Sequence, residues 1–367
     1  MRIKPLRILE LNFERGWRGG ERQTLYNMTG FADAGIGVSL LCRKNCALEE
    51  KAREAGFTTY AFANIFGILY FLMRYGRHYN ILHVQTSHIL TYAVLAKPFH
   101  RAKIVFTRRV DFVPHGRFTR LKYRLTDKVI AISTAIKRIL EDFGVENVTV
   151  ISSAIVKKEL NASRAIQLLA NLPLAPTTKI LGTTAALVDH KDPFTMVDAI
   201  AELAAKRKDF VFLHFGKGAL EIPVRERIAA LGLQDHYKLM GFHDNVEDVF
   251  TLLDVFVMSS EQEGLGSSVL DAFLYKVPVV GTNAGGLPDL LGEGRGILCP
   301  VKSPKALAAG IHTLLTKPRI SEEQVRIAYQ FAFEQHNLKY LTHKYLSIMY
   351  HLQGVPFPKA TKAEVLY

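Results

Sequence analysis

Cysteine is scarce in this chain: three residues in 367, at Cys42, Cys46 and Cys299. Three thiols build no disulfide framework, and nothing pairs with Cys42 and Cys46 to complete a metal site. The expectation is a reducing compartment and small, buried, apolar thiols. Long hydrophobic runs are missing too. The longest, Ile65 to Met73, is interrupted by Gly67 and falls far short of the ~20 residues that cross a bilayer. The opening MRIKPLRILELNF is basic, but Glu10 interrupts any apolar core that a secretory signal would need. No D-x-D triplet, P-loop or G-x-S-x-G string occurs, and no His, Cys and carboxylate cluster has metal-ligand spacing. Metal: none is therefore the expected state of the site.

Hydrophobic residues make up 49% of the chain, enough to fill two cores at this length. The charge is one-sided. Residues 1–175 carry 27 Lys+Arg against 13 Asp+Glu, whereas residues 176–367 carry 20 against 21. The whole net charge of +13 therefore belongs to the first half, which implies an anionic partner for that half alone.

Short β-branched runs alternate with helical patterns along both halves. Strands are predicted at Arg7–Leu11, Val38–Cys42, Thr58–Ala61, Ile81–Gln85, Ile104–Thr107, Val129–Ile132 and Val148–Ile151. Helices are predicted between them at Glu21–Ala34, Asn64–Tyr75 and Thr134–Phe143. The alternation pauses over Ser152 to Thr178, which ends in Pro173 and Pro176. It resumes near Lys179–Thr183, Phe210–Phe215, Tyr237–Met240, Asp254–Met258, Val279–Gly281 and Gly296–Leu298. Such spacing implies βαβ units, parallel sheets and an α/β fold of two Rossmann-like domains with a cleft at facing strand ends. The expected organisation is an N-terminal domain over 1–160, a linker over 161–178 and a second domain over 179–335. A closing helix over 336–353 and a tail over 354–367 complete it.

The densest signal is residues 259–289, SSEQEGLGSSVLDAFLYKVPVVGTNAGGLPD. Glu263 sits on a glycine-punctuated loop (Gly264, Leu265, Gly266, Ser267), and Asp271 follows eight positions later in an apolar helix pattern. A β-branched strand leads to a second glycine loop at Gly285 and Gly286. Both loops open helices, whose unpaired N–H groups and positive dipole ends suit a diphosphate. Glu263 suits sugar hydroxyls instead. Asp271, about 7–8 Å along the helix at ~1.5 Å per residue, would reach another hydroxyl of the same elongated ligand.

This block resembles the family-4 retaining glycosyltransferases of the GT-B fold, and the resemblance covers nearly the whole chain. Three departures stand out: Asp271 where the family usually has Glu, G-G-L-P-D in place of G-G-x-P-E, and Tyr275–Lys276 in place of small residues. The resemblance implies a retaining transfer of sugar from a nucleoside-diphosphate donor to a glycan or lipid-linked acceptor, with no metal and no cofactor beyond that co-substrate. The C-terminal helix is expected to cross back to the first domain.

Residue by residue, the resemblance implies the following. Lys191 in TTAALVDHKD matches the family's phosphate-binding Lys, while Ala185 and Ala186 replace its G-R. Glu263 would meet sugar hydroxyls and Asp271 the ribose. Gly19 and Gly20, expected just before a helix starting near Glu21, match the G-G-x-E loop that faces the donor phosphates. Gly216 and Lys217, then Gly241 and Phe242, match the turns around the nucleotide. Arg109 takes the place of a His near the reacting sugar, and as an arginine it suits an anion rather than proton transfer. His83 reads as a core histidine of its strand.

The acceptor suggested by the family is lipopolysaccharide core, a lipid-linked sugar or another envelope glycan. It would be met by a cytoplasmic enzyme, peripheral at the inner membrane face, through the basic first half and an anionic membrane surface. The run Arg117–Arg124 (RFTRLKYR) is the leading surface candidate. The apolar helix at 65–74 reads first as core and second as a shallow membrane insertion. Three other readings are carried: a non-catalytic nucleotide-sugar-binding partner subunit, a nucleic-acid-binding protein, and an epimerase on the same fold. No nucleic-acid recognition motif is present, so no nucleic acid is expected as a partner.

Overall fold

The computed structural model describes residues 6–170 and 172–357. Residues 1–5, 171 and 358–367 lie outside that set, and with them the start of the N-terminal segment and most of the expected 354–367 tail. The chain forms two compact units, one joining Met1–Val156 to Glu334–Tyr367 and the other formed by Lys157–Phe333.

The first unit holds a sheet of β1 (Arg7–Asn12), β2 (Gly37–Arg43), β3 (Thr58–Phe62), β4 (Ile81–Val84), β5 (Lys103–Arg108), β6 (Lys128–Ala131) and β7 (Thr149–Val150). Their order is β3-β2-β1-β4-β5-β6-β7, and every pairing is parallel. The second unit holds β8 (Lys179–Thr184), β9 (Phe210–Phe215), β10 (Tyr237–Gly241), β11 (Val255–Met258), β12 (Val279–Thr282) and β13 (Ile297–Cys299). These run in the order β10-β9-β8-β11-β12-β13, again all parallel. All four residues of β4 and all six of β9 are buried, because crossover helices cover both faces of a parallel sheet. Each strand order reverses once, between β1 and β4 and between β8 and β11. In such sheets ligands bind outside the carboxyl ends of the strands at that reversal.

The strand positions follow the β-branched runs to within a residue or so at most ends. Three features differ from the sequence expectation. Gly19 and Gly20 are the first two residues of the helix Gly19–Asp33 rather than a loop before it. The helix can start there because the Glu21 carboxylate accepts the Arg18 N–H at 3.0 Å. A helix, Ala162–Leu169, occupies part of the expected linker; Asn161 caps it by accepting the Arg164 N–H at 2.9 Å. The helical pattern that the sequence carries from Ser321 to Leu352 is two helices, Pro318–Gln335 and Leu338–Leu352, interrupted where Asn337 caps the second by accepting the Tyr340 N–H.

The interruption is where the chain rejoins the first unit. His336 Nδ1 donates to the Ser153 carbonyl at 2.9 Å, and the Ile155 N–H donates to the His336 carbonyl at 2.7 Å. The last helix then buries Leu341, Tyr345 and Met349 against Ile8, Ile81 and Val105. It crosses the first helix at Gly30, where a Cβ would lie 2.0 Å from Thr342 Oγ1, so glycine permits the close approach.

The apolar segment 65–74 forms the helix Ile65–Tyr75, with Ile68, Phe71 and Leu72 buried as core packing requires. Its other face leaves Phe66 at 77% and Tyr70 at 64% exposure. All three cysteines are free and buried. Among the described residues no helix is long and apolar enough to cross a membrane.

Candidate functional site

In the second unit the expected residues gather at the carboxyl ends of the strands. β8 runs into residues 185–188, a single 3-10 turn at Asp189–Lys191, and Asp192 in the left-handed region at φ 44°. Asp192 Oδ1 accepts the Thr195 N–H at 3.1 Å and so starts the helix Pro193–Ala204. This turn is fastened to the loop after β11. The Glu261 and Gln262 N–H groups donate to the His190 carbonyl at 2.9 and 3.1 Å. The Ser259 hydroxyl lies 3.0 Å from the Lys191 carbonyl and 2.8 Å from that of Asp192.

Fastening the two loops brings Lys191 to Glu263. Lys191 Nζ donates to Glu263 Oε2 in an ion pair whose side chains are 19% and 12% exposed. The Ser260 hydroxyl lies 3.4 Å from the same oxygen. An ammonium and a carboxylate, both partly exposed, are therefore held together at the β8–β11 reversal.

The third loop, after β12, supports Glu263 from its backbone. The Gly286 N–H donates to the Glu263 carbonyl at 2.8 Å. Gly285 has φ +51°, and a Cβ there would lie 1.9 Å from that carbonyl oxygen, so only glycine fits. Gly266, at φ +96°, opens the helix Ser267–Leu274 against Leu287. Asp271 lies on this helix one turn beyond Ser267, on the same face by helical spacing.

Gly216 and Lys217 form a neighbouring turn after β9. Its role is close backbone approach: a Cβ on Gly216 would lie 2.0 Å from the Ala185 carbonyl oxygen, and one on Gly218 would lie 2.1 Å from that of Leu187. The Gly216 N–H donates to the Gly241 carbonyl at 2.8 Å, and the Lys217 side chain runs past Gly241. Phe242 follows with 55% exposure. Beneath this turn His214 Nε2 donates to the Ala185 carbonyl at 3.0 Å, which leaves Nδ1 to accept from Tyr237 Oη at 2.7 Å. Burial pushes the His214 pKa down to about 4, so the ring is neutral near pH 7.

In the first unit, Arg109 comes close to Gly20, the second residue of the helix that Gly19 opens. Arg109 follows β5, and its Cδ would lie 3.7 Å from a Cβ on Gly20. Its Nε donates to Gln85 Oε1 at 3.0 Å. Burial lowers the Arg109 pKa from its usual value, while Tyr345, Glu10 and Glu21 push it back up. The preceding residue, Arg108, is buried and fastens the next segment: its Nε donates to the Val110 carbonyl at 3.0 Å, its Nη1 to Tyr123 Oη at 2.6 Å and its Nη2 to the Phe112 carbonyl. The helix Arg117–Arg124 that follows leaves Phe118 at 89% exposure among exposed arginines.

His83 is fully buried within β4, as expected, but it belongs to a polar network that sequence reasoning missed. That network contains Glu10, Gln85 and Thr107. His214, Ser259 and Ser260 were missed as well. The available signal was a polar residue inside an apolar run, as in R-I-L-E-L-N and F-V-F-L-H-F.

Two family models match the chain. "Glycosyltransferase Family 4" matches residues 17–157, and "Glycosyl transferases group 1" matches residues 166–331. The lipopolysaccharide core biosynthesis mannosyltransferase LpsB of Rhizobium meliloti (strain 1021) is 27% identical over 275 residues, 71% of this chain and 77% of that protein. Among solved structures, a glycosyltransferase from Rickettsia africae ESF-5 superposes with TM-score 0.83 at 18% identity, covering 96% of this chain and 99% of that one. Anabaena HepE in complex with UDP-glucose superposes with TM-score 0.83 at 18% identity, covering 94% and 100%.

Proposed function

The chain belongs to the family-4 glycosyltransferases, retaining enzymes of the GT-B fold that use nucleotide sugars, and from that premise we propose that it transfers a sugar from a nucleoside-diphosphate donor to an envelope glycan or lipid-linked acceptor. The observation that carries the site assignment is the Lys191–Glu263 pair at the β8–β11 reversal. Lys191 and the N–H groups at the start of helix Ser267–Leu274 take the diphosphate, with Gly264, Leu265 and Gly266 forming the loop around it. Glu263 accepts from sugar hydroxyls and Asp271 from the ribose. Lys217 and Phe242 border the nucleotide. In the first unit, Arg109 with Gly19 and Gly20 takes an oxyanion of donor or acceptor.

In the reaction, the bond between the anomeric carbon and the diphosphate oxygen breaks, and the acceptor oxygen bonds to that carbon on the same face. The acceptor proton passes to the departing phosphate. Lys191 stabilises the charge that develops on that phosphate, so positioned electrostatics carries most of the acceleration, without a metal. A uridine diphosphate sugar is the first donor to test, since HepE is described with UDP-glucose. Lipopolysaccharide core is the first acceptor class, since LpsB is named for it. The first unit meets the acceptor at an anionic, cytoplasmic membrane face.

The test is thermal stabilisation by a panel of nucleoside diphosphates and nucleotide sugars, with chelator or with divalent metal. Ligand at ~100 times its dissociation constant adds about 2.7 kcal/mol. A metal-independent shift with one base, abolished in Lys191→Ala, is the expected result. No shift from any member overturns the donor assignment. Binding without transfer or donor hydrolysis points to the partner-subunit reading instead.

A further inference from the structure

The floor of the first-unit site is a continuous buried hydrogen-bond chain. Glu10 on β1 and His83 on β4 are direct register partners, and both are fully buried. His83 Nδ1 lies 2.6 Å from Glu10 Oε1, and His83 Nε2 lies 2.8 Å from Thr107 Oγ1 on β5. Thr107 Oγ1 in turn lies 3.4 Å from Tyr345 Oη on the returning C-terminal helix. The other Glu10 oxygen accepts from Gln85 Nε2 at 2.9 Å, and Gln85 Oε1 accepts from Arg109 Nε at 3.0 Å.

Elementary chemistry fixes the direction at the Arg109 end. Arginine only donates, so Gln85 must present its carbonyl oxygen to Arg109 and its amide NH2 to Glu10. An amide in that orientation needs an acceptor behind it, and a buried carboxylate is a strong one. Glu10 is itself held in place by His83. Gln85 is thus clamped from both ends, and the clamp fixes Arg109 at its Nε, with its Cδ 3.7 Å from where a Gly20 Cβ would lie. The bond uses Nε and leaves Nη1 and Nη2, the pair suited to a bidentate clasp of an oxyanion, outside it.

We propose that Gln85, anchored by the buried Glu10–His83 pair, is a positioning residue that aims Arg109 at an oxyanion of the substrates. This rests on the reading of Arg109 as an anion-binding residue. Gln85 touches no substrate; it acts through Arg109 alone. Its removal should therefore matter only while an arginine is present to be aimed.

The experiment is a double-variant cycle on the full chain, with calorimetric binding of inorganic pyrophosphate as probe, repeated in a Lys191→Ala background to remove the second-unit diphosphate site, and melting temperature alongside. Gln85→Met keeps about the same side-chain volume and removes every side-chain hydrogen bond, the 3.3 Å contacts of Nε2 with the His83 ring nitrogens included. Expected results are a roughly 10-fold weaker pyrophosphate affinity in Gln85→Met and a 10- to 100-fold loss in Arg109→Ala. The double variant should be no weaker than Arg109→Ala. In an Arg109→Lys background, Gln85→Met should have no further effect, because lysine lacks the Nε–H that Gln85 holds. Glu10→Gln, which keeps the shape but replaces one acceptor oxygen by an amide NH2, should move affinity in the same direction as Gln85→Met, and it serves if the latter does not fold.

Wild-type affinity in Gln85→Met beside an impaired Arg109→Ala overturns the positioning role and leaves the anion reading intact. Losses that add in the double variant also overturn it, because they show Gln85 acting independently. Unchanged affinity in Arg109→Ala, or no pyrophosphate binding by the wild type, overturns the anion reading beneath it. Once a donor and acceptor are in hand, a rise in donor KM or in acceptor KM in Gln85→Met tells which substrate carries the oxyanion.

Discussion

Lys191 and Glu263, 72 positions apart in the chain, form an ion pair at the carboxyl ends of β8 and β11. The pair joins the group assigned to the leaving diphosphate to the group assigned to the sugar. Lys191→Ala is expected to lower kcat by roughly 100-fold, the scale of removing one preorganised charge-stabilising donor. Glu263→Gln should act on the sugar-bearing donor and leave the affinity for the bare nucleoside diphosphate within a factor of a few. Steady-state kinetics beside calorimetry of the diphosphate checks both. A near-normal rate in Lys191→Ala removes the assignment.

Gly285 tests the support beneath Glu263. A Cβ there would lie 1.9 Å from the Glu263 carbonyl oxygen at φ +51°, so Gly285→Ala adds a backbone collision to the strain of a left-handed residue. That strain alone is about 1–3 kcal/mol. Gly35→Ala is the control, since Gly35 has φ +76° but nothing within 4 Å of its Cβ position. The Gly285 variant should lose more stability in urea titration than the Gly35 variant, and it alone should lose donor binding.

His214 gives the protein an acid-sensitive increment of stability. Its folded pKa, about 4, lies below the ordinary 6.5, so between those values the unfolded chain binds a proton that the folded chain refuses. Stability is therefore fully present above pH 6.5 and is lost as pH falls toward 4, by up to about 3 kcal/mol at ~1.4 kcal/mol per unit. His214→Phe should show a shallower decline over pH 6.5 to 4 in denaturant titrations. Parallel pH profiles for wild type and variant would rule out this origin.

The exposed Phe118 and Leu121 sit among Arg117, Arg120 and Arg124 on one short helix. Burying a phenylalanine in an apolar phase is worth about 2 kcal/mol. Phe118→Ser with Leu121→Ser should therefore weaken sedimentation with phosphatidylglycerol vesicles by roughly 10-fold or more. Raising salt should weaken the wild type as well. Equal binding to neutral phosphatidylcholine vesicles, or no dependence on salt, counts against an anionic membrane face.

The amino-acid sequence by itself determined the alternating elements, the two parallel sheets, the glycine loops at 264–266 and 285–286 and the charge of the first half. Each of these is a local matter. β-branched runs, helix periodicity and positive-φ turns are decided within about ten residues, and so they can be read in order. The tertiary structure decided what meets what. Lys191 reaches Glu263 because β8 lies beside β11, and Gly216 is glycine because the turn after β9 presses on the Ala185 carbonyl. Glu10 interrupts an apolar pattern in the sequence; in the fold it is the anchor of a chain running from Arg109 to Tyr345. The Thr107–Tyr345 contact spans 238 positions, and the break at Asn337 that allows it is set by docking on residues 153–155. Periodicity carries no record of strand order. Contacts across a reversal in that order exist only once the sheet has formed.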